Sequence, residues 1–115
     1  MDDKAKPATG SAAPTLPGQS SRTALLSRWD QLTRRTLPAM ARAERWPVRV
    51  GQGFMRVCLD TAIGRRWDEV VPGPPLRHLT NDQLSEAVRM AEAIVADPAA
   101  LPRLNATSLR MRGKL

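Results

Sequence analysis

The sequence predicts an all-α protein: a small four-helix domain with a proline-rich central loop, preceded by a disordered tail at residues 1–20. Two observations support this prediction. Apolar residues recur with the 3.6-residue period of a helix in segments that follow residue 20, and no segment alternates apolar and polar residues over the length of a strand. Because 115 residues leave room for one hydrophobic core, residues 21–115 are expected to form a single domain.

The tail is predicted from its composition. Residues 1–20 are rich in Pro, Gly, Ala, Ser and Thr, and Leu16 is their only large apolar residue after Met1. Such a stretch buries too little apolar surface to offset the entropy lost on ordering. It also lacks the apolar region of a secretory signal, so we expect a cytoplasmic protein.

The first helix is predicted over residues 21–37, because Leu25, Trp29 and Leu32 recur on one helical face. Pro38 should end or kink this helix, since proline disfavours helical backbone in the residue before it. Residues 39–50 are then expected to form a connection, which Trp46 anchors to the core.

The second helix is predicted over residues 52–63, with Phe54, Val57 and Cys58 on one face. Gly64 is a typical C-terminal stop. The sequence Arg-Arg-Trp-Asp-Glu that follows predicts a short helical turn, and Pro-Gly-Pro-Pro at residues 72–75 predicts an irregular loop.

The third and fourth helices have clearer boundaries. Thr80 and Gln83 fit a capping box at the start of the third helix, and Pro98 should end it. A last short helix is expected over residues 98–110, with Gly113 closing it.

The charge of the chain is unevenly distributed. The net charge is +7, and most of the basic residues are arginines. Residues 80–100 are acidic, whereas two other regions hold a basic excess. These basic regions contain Arg28, Arg34, Arg35, Arg42, Arg45 and Arg49, and Arg103, Arg110, Arg112 and Lys114. One interpretation is a soluble basic surface, with the acidic third helix lying against a basic neighbour. The other is a binding surface, because arginine suits bidentate contacts with carboxylate or phosphate; the predicted partner is then a protein, with nucleic acid as the alternative.

Several residues are candidates for a site. Asp60 lies on a mostly apolar helix and needs a partner, for which Arg56 or Arg66 is predicted. Arg56, Asp60, Arg66, Arg77 and His78 are expected to converge where the second helix meets the central loop, and they either lock the loop or bind an anion. The full set of anion- or partner-binding candidates is Arg56, Asp60, Arg65, Arg66, Arg77, His78, Arg110 and Arg112. Cys58 is interpreted as a buried packing residue.

Common catalytic and cofactor motifs are missing from the sequence. It has no Walker-type phosphate loop, no Gly-x-Gly-x-x-Gly, no nucleophile elbow and no paired-histidine metal motif. One cysteine and one histidine exclude an intramolecular disulfide and a four-ligand structural zinc site of Cys and His. We therefore predict no catalytic residue, no cofactor and no metal. No apolar run reaches the roughly 20 residues that a membrane helix needs.

Five segments together form a pattern: Trp46 to Arg49, Phe54 to Asp60, Arg65 to Val71, Leu76 to Leu79 and Leu104 to Lys114. On these segments, which span about 70 of the 115 residues, the chain resembles a family of short, uncharacterised bacterial proteins. Similar proteins are sometimes labelled acetyltransferases of the GNAT type. That label implies a mixed sheet and an Arg/Gln-x-x-Gly-x-Gly/Ala loop that binds coenzyme A. The sequence contains no such loop, so the resemblance gives no catalytic residues.

Three functions are open at this point. A small basic binding or accessory module with a protein partner is the first prediction. A nucleic-acid-binding protein is an alternative, although one Phe, three Trp and no Tyr give few groups on which bases could stack. An acyltransferase is the other alternative, and it is the only enzyme class that the resemblance implies.

Overall fold

The computed structural model describes residues 20–115, which confirm the predicted all-α class. Apart from Ser20, the predicted tail lies outside these residues. The described elements are α1 (Ser20–Gln31), a π-helical segment (Leu32–Thr36), α2 (Leu37–Glu44), α3 (Gly51–Ile63), a 3₁₀ turn (Trp67–Glu69), α4 (Pro75–His78), α5 (Asn81–Ala96) and α6 (Ala100–Met111). Because the described residues contain no strand, the mixed sheet of the acetyltransferase label is absent from this part of the chain.

The first helix passes through Pro38, so of the two effects predicted for this proline, an end or a kink, the end is wrong. α1, the π-helical segment and α2 follow one another without a break up to Glu44, and Leu37 N–H bonds to the carbonyl of Leu32, five residues earlier. Proline lacks an N–H and its ring crowds the carbonyl four residues before it. The wider π turn places this irregularity just before Pro38, which lets the helix continue.

The predicted connection is correspondingly shorter than expected. It begins only at Arg45, whose left-handed backbone (φ 56°) ends α2. Trp46 is 3% exposed and its ring meets the edge of Phe54 at a centroid distance of 6.0 Å, which confirms its anchoring role. The connection thus turns the chain sharply from α2 into α3.

α3 is the central helix of the described fold. It packs mainly against α5 and α6, while α1 lies along α5. Phe54, Val57 and Leu59 are fully buried between these helices. The prediction of a helix over residues 52–63 is confirmed to within one residue. This central position also buries one acidic residue, Asp60.

Two glycines are required at the ends of α3. A Cβ on Gly53 would lie 2.5 Å from Cγ1 of Val48, so the buried Val48 occupies the space that a side chain would need. Gly64 adopts φ 90° and its N–H bonds to the carbonyl of Asp60. This left-handed cap confirms the predicted stop.

The later helices agree closely with the sequence. The capping box is present, because Gln83 N–H donates to the Thr80 hydroxyl and Thr80 N–H donates to the Gln83 side chain. The predicted short turn is the 3₁₀ turn at Trp67–Glu69. The proline-rich loop instead ends in a one-turn helix, α4, which begins at Pro75.

Candidate functional site

A buried polar network joins α3 to the end of α6. At its centre, the Asp60 carboxylate is fully buried and accepts four hydrogen bonds. Arg112 donates two of them, from Nε to Oδ2 at 2.7 Å and from Nη2 to Oδ1 at 3.0 Å. The Ser108 hydroxyl donates to Oδ2 at 2.7 Å, and Trp67 N–H donates to Oδ1 at 2.9 Å. The carboxylate therefore holds together α3, α6 and the 3₁₀ turn.

Arg56 extends this network without touching Asp60. Its guanidinium donates to the Ser108 hydroxyl at 2.8 Å and to Oδ1 of Asn105 at 2.7 Å. Ser108 thus accepts from Arg56 and donates to Asp60. On the outer side, Arg112 Nη2 lies 3.6 Å from an oxygen of Asp68. We call Arg56, Asp60, Asn105, Ser108 and Arg112 the Asp60 network.

Asp60 and Arg112 stabilise each other's charged form, whereas Arg56 is held next to a like charge. Burial alone would raise the pKa of Asp60, but hydrogen bonds from Arg112, Ser108 and the Trp67 N–H lower it below its ordinary value. The hydrogen bonds to Asp60 raise the pKa of Arg112. Burial, with the nearby charge of Arg112, lowers the pKa of Arg56. Asp60 is therefore an ionised, fully hydrogen-bonded carboxylate, which suits a structural role and leaves it no access to a substrate.

The predicted partner of Asp60 is wrong. Arg56 lies one helical turn before Asp60, but its side chain reaches α6 instead. Arg66 pairs with the exposed Asp68, at 3.1 Å. The actual partner, Arg112, is 52 residues away in sequence. It reaches Asp60 because the close packing of α6 on α3 brings the end of α6 over the Asp60 side chain.

The predicted convergence of five residues is also only partly correct. Arg56 and Asp60 belong to the Asp60 network, and Arg66 adjoins it through Asp68. Arg77 and His78 do not join it, because both lie exposed on α4. α4 is instead bonded to α1, because the Arg22 guanidinium donates to the backbone oxygen of Leu76 at 2.8 Å.

The remaining predicted candidates lie on the surface. Arg65 pairs with Glu69 one turn later, at 3.2 Å. Arg110 is exposed on the last turn of α6, whereas Arg112, two residues on, turns inward to Asp60. Arg112 was predicted for an anion or partner site, and its charge is instead used inside the fold.

A cavity of about 420 Å³ lies beside the beginning of α3, and no motif or spacing in the sequence indicates it. It is bounded by the first helix, the beginning of α3 and α4. Its lining residues are Leu26, Trp29, Asp30, Thr33, Arg34, Gly51, Gln52, Met55, Leu76 and Arg77. The π-helical segment contributes Thr33 and Arg34, so the irregularity before Pro38 also shapes this wall.

The arginines between residues 28 and 49 fall into two groups, those paired with an acid and those without one in the described part of the chain. Arg28 pairs with Glu92 at 2.9 Å and Arg34 with Asp30 at 3.1 Å. Four further arginines are exposed and have no ion-pair partner among the described residues. These are Arg35, Arg42, Arg45 and Arg49, which we call the arginine surface.

Cys58 is fully buried on α3, and burial raises the pKa of its thiol to about 12. We predict that Cys58 reacts with a disulfide reagent, at pH about 8, at least about a hundredfold more slowly in the native protein than in urea. In the native protein its thiol is rarely deprotonated, and the reagent cannot reach the sulfur. The control combines Cys58→Ala with Ala43→Cys, which places a thiol at an exposed helical position. Equal native rates for the two proteins would show that Cys58 is accessible.

Comparison with known proteins found no relative of this chain. No protein-family model, no curated protein and no solved structure matches the chain. Two further findings concern the described residues alone. None of their helices has both the length and the apolar character needed to cross a membrane. They also contain no group of three or more His, Cys, Asp or Glu side chains that could hold a metal ion.

Proposed function

We propose that the protein is a small basic binding module whose partner is an acidic protein. The observation that supports this most directly is the arginine surface. Arg28, Arg65 and Arg112 are paired with acids of the same chain. Within residues 20–115, other exposed arginines without an ion pair, such as Arg77, Arg103 and Arg110, are spread over later segments, whereas the arginine surface gathers four within residues 35–49. The four arginines of the surface have no ion-pair partner among the described residues, so their charges are available to another molecule. Unpaired cations of this kind steer and align an acidic partner.

The arginine surface is continuous along the chain. Arg35 and Arg42 are seven residues apart, about two helical turns, so they lie on one side of the helix. Arg45 and Arg49 flank the turn that follows. Glu44 is the only acid between residues 35 and 49, so the segment is strongly basic.

Burial of the aromatic residues favours a protein partner over a single-stranded nucleic acid. The chain has four aromatic residues, and Trp29, Trp46 and Phe54 are buried while Trp67 is half-buried. Three of the four are therefore unavailable as stacking platforms for bases, and Trp67 alone offers little stacking surface. By contrast, the side chain of Val50 is 64% exposed directly beside Arg49, and exposed apolar surface next to charge suits a protein interface.

The proposal is tested by comparative capture from a lysate of the source organism, with the full-length chain as bait. One variant removes three charges of the surface, as Arg35→Gln, Arg42→Gln and Arg49→Gln. The control removes three exposed charges outside it, as Arg103→Gln, Arg110→Gln and Lys114→Gln. Both variants have the same net charge. We expect an acidic protein whose enrichment falls at least about tenfold with the first variant and less than about twofold with the control.

Two results would contradict the proposal. If both variants lose the captured protein equally, binding follows net charge and not the arginine surface. If treatment of the lysate with nuclease removes the captured protein, a nucleic acid is the partner. In that case affinity for duplex DNA should fall steeply with salt, with a slope of about −0.9 for each phosphate neutralised.

A further inference from the structure

The cavity beside α3 has an apolar interior. Leu26 and Met55 line it together with Trp29, which is 3% exposed. The one buried hydroxyl of the lining, that of Thr33, already donates to the carbonyl of Trp29 at 2.8 Å. The interior thus offers mainly apolar contact surface from Leu26, Met55 and the ring of Trp29, so an apolar group fits there best.

The mouth of the cavity is polar and basic. Arg34, Gln52 and Arg77 are exposed lining residues, so the cavity opens to solvent. Arg77 has no ion-pair partner among the described residues. Arg34 contacts Asp30, but both side chains are more than half exposed and such a pair contributes little. The mouth therefore favours a ligand with negative charge next to its apolar group.

The segment that carries the arginine surface is bounded in sequence by two residues that line the cavity, Arg34 and Gly51. Arg34 lines the cavity and Arg35 follows it directly in the helix. The chain then runs along α2, turns at Trp46, and returns through Arg49 and Val50 to Gly51, which lines the cavity again. One partner could thus contact both the cavity and the arginine surface.

We propose that the cavity takes a bulky apolar side chain, flanked by Asp or Glu, from the acidic protein partner; this inference rests on the proposed function. A volume of about 420 Å³ is large enough for an aromatic side chain. Apolar anchors that fill a desolvated pocket supply much of the binding energy of protein interfaces. The arginines around the mouth select the acidic flanks and fix their direction.

Three short fluorescein-labelled peptides are the probes. The acidic tryptophan peptide has one Trp flanked on both sides by Asp and Glu. A second peptide replaces its Trp with Ser, and a third replaces its acids with Asn and Gln. Binding to the full chain is measured by fluorescence anisotropy. We expect the acidic tryptophan peptide to bind at least about tenfold more tightly than either of the others.

A pair of matched variants locates the binding. Leu76→Glu places an acid at the mouth, where Leu76 is 37% exposed. Val70→Glu makes the same change at a residue that is 43% exposed and does not line the cavity. We expect Leu76→Glu to weaken binding of the acidic tryptophan peptide at least about tenfold, and Val70→Glu to weaken it less than about threefold.

Each other outcome overturns the cavity inference. Equal weakening by the two variants, or equal binding of the Ser peptide, would show that charge alone attracts the peptide, and the proposed function would stand. Equal binding of the uncharged peptide would show an apolar pocket without selection for acids. If the acidic tryptophan peptide does not bind at about 1 mM protein, the cavity is excluded as its binding site. The proposed function is then tested independently by the lysate capture experiment.

Discussion

Replacing Asp60 with alanine should lower the free energy of unfolding by about 3–5 kcal/mol, the range for breaking a buried ion pair. The variant leaves the largely buried Arg112 guanidinium with only the exposed Asp68 as a nearby counter-charge, and the hydroxyl of Ser108 and the N–H of Trp67 without their acceptor. Denaturant unfolding followed by circular dichroism measures the change. Asp68→Ala, at an exposed acid beside the same arginine, is the control and should cost less than about 1 kcal/mol. A loss below about 1 kcal/mol for Asp60→Ala would contradict the structure.

The acid limb of the stability curve provides an independent check on Asp60. Because its pKa is lowered in the folded state, its contribution is fully present above the unfolded-state value of about 3.9. The contribution is lost as the pH falls through the folded-state value. The fall in stability below pH about 4 should therefore be shallower in Asp60→Ala than in the parent. Parallel acid limbs would mean that Asp60 titrates as a free carboxyl group.

Removing the other half of the pair should have an effect of similar size. Arg112→Ala should cost about 3 kcal/mol, since it leaves the Asp60 carboxylate buried with only Ser108 and the Trp67 N–H as donors. Arg110→Ala is the matched control, because Arg110 is an exposed arginine two residues earlier. Its cost should stay within about 0.5 kcal/mol.

The double variant shows whether the two residues act as one unit. Asp60→Ala with Arg112→Ala should cost clearly less than the sum of the single variants, because it removes both charges together. Additive losses would contradict a direct pair. The result also bears on function, since an arginine that is needed inside the fold cannot serve the partner as well.

The elements that sequence predicted well depend on local chemistry. The capping box at Thr80 and the stop at Gly64 involve groups within four residues of one another, so their spacing in the chain is sufficient evidence. The helical period likewise identified α3. Pro38 is the local exception: its usual effect was countered by a π turn, which the residue pattern did not reveal.

The candidate site was harder to predict because it depends on contacts between distant segments. Asp60 was identified correctly as an acid in need of a partner, but Arg112 was separated from it by 52 residues and could not be distinguished from Arg56 or Arg66. The cavity was missed altogether. Its walls come from three separate helices, and no spacing along the chain indicates how closely they approach.

We propose that the arginine surface and the cavity mouth, and not the basic C-terminal end, contact the acidic partner. This claim can be tested by amide chemical-shift mapping, in which the ¹⁵N-labelled full chain is titrated with the acidic tryptophan peptide. We predict that the largest shift changes fall within residues 34–52 and at Leu76 and Arg77. Largest changes within residues 103–115, or changes spread evenly over the charged residues, would contradict the claim.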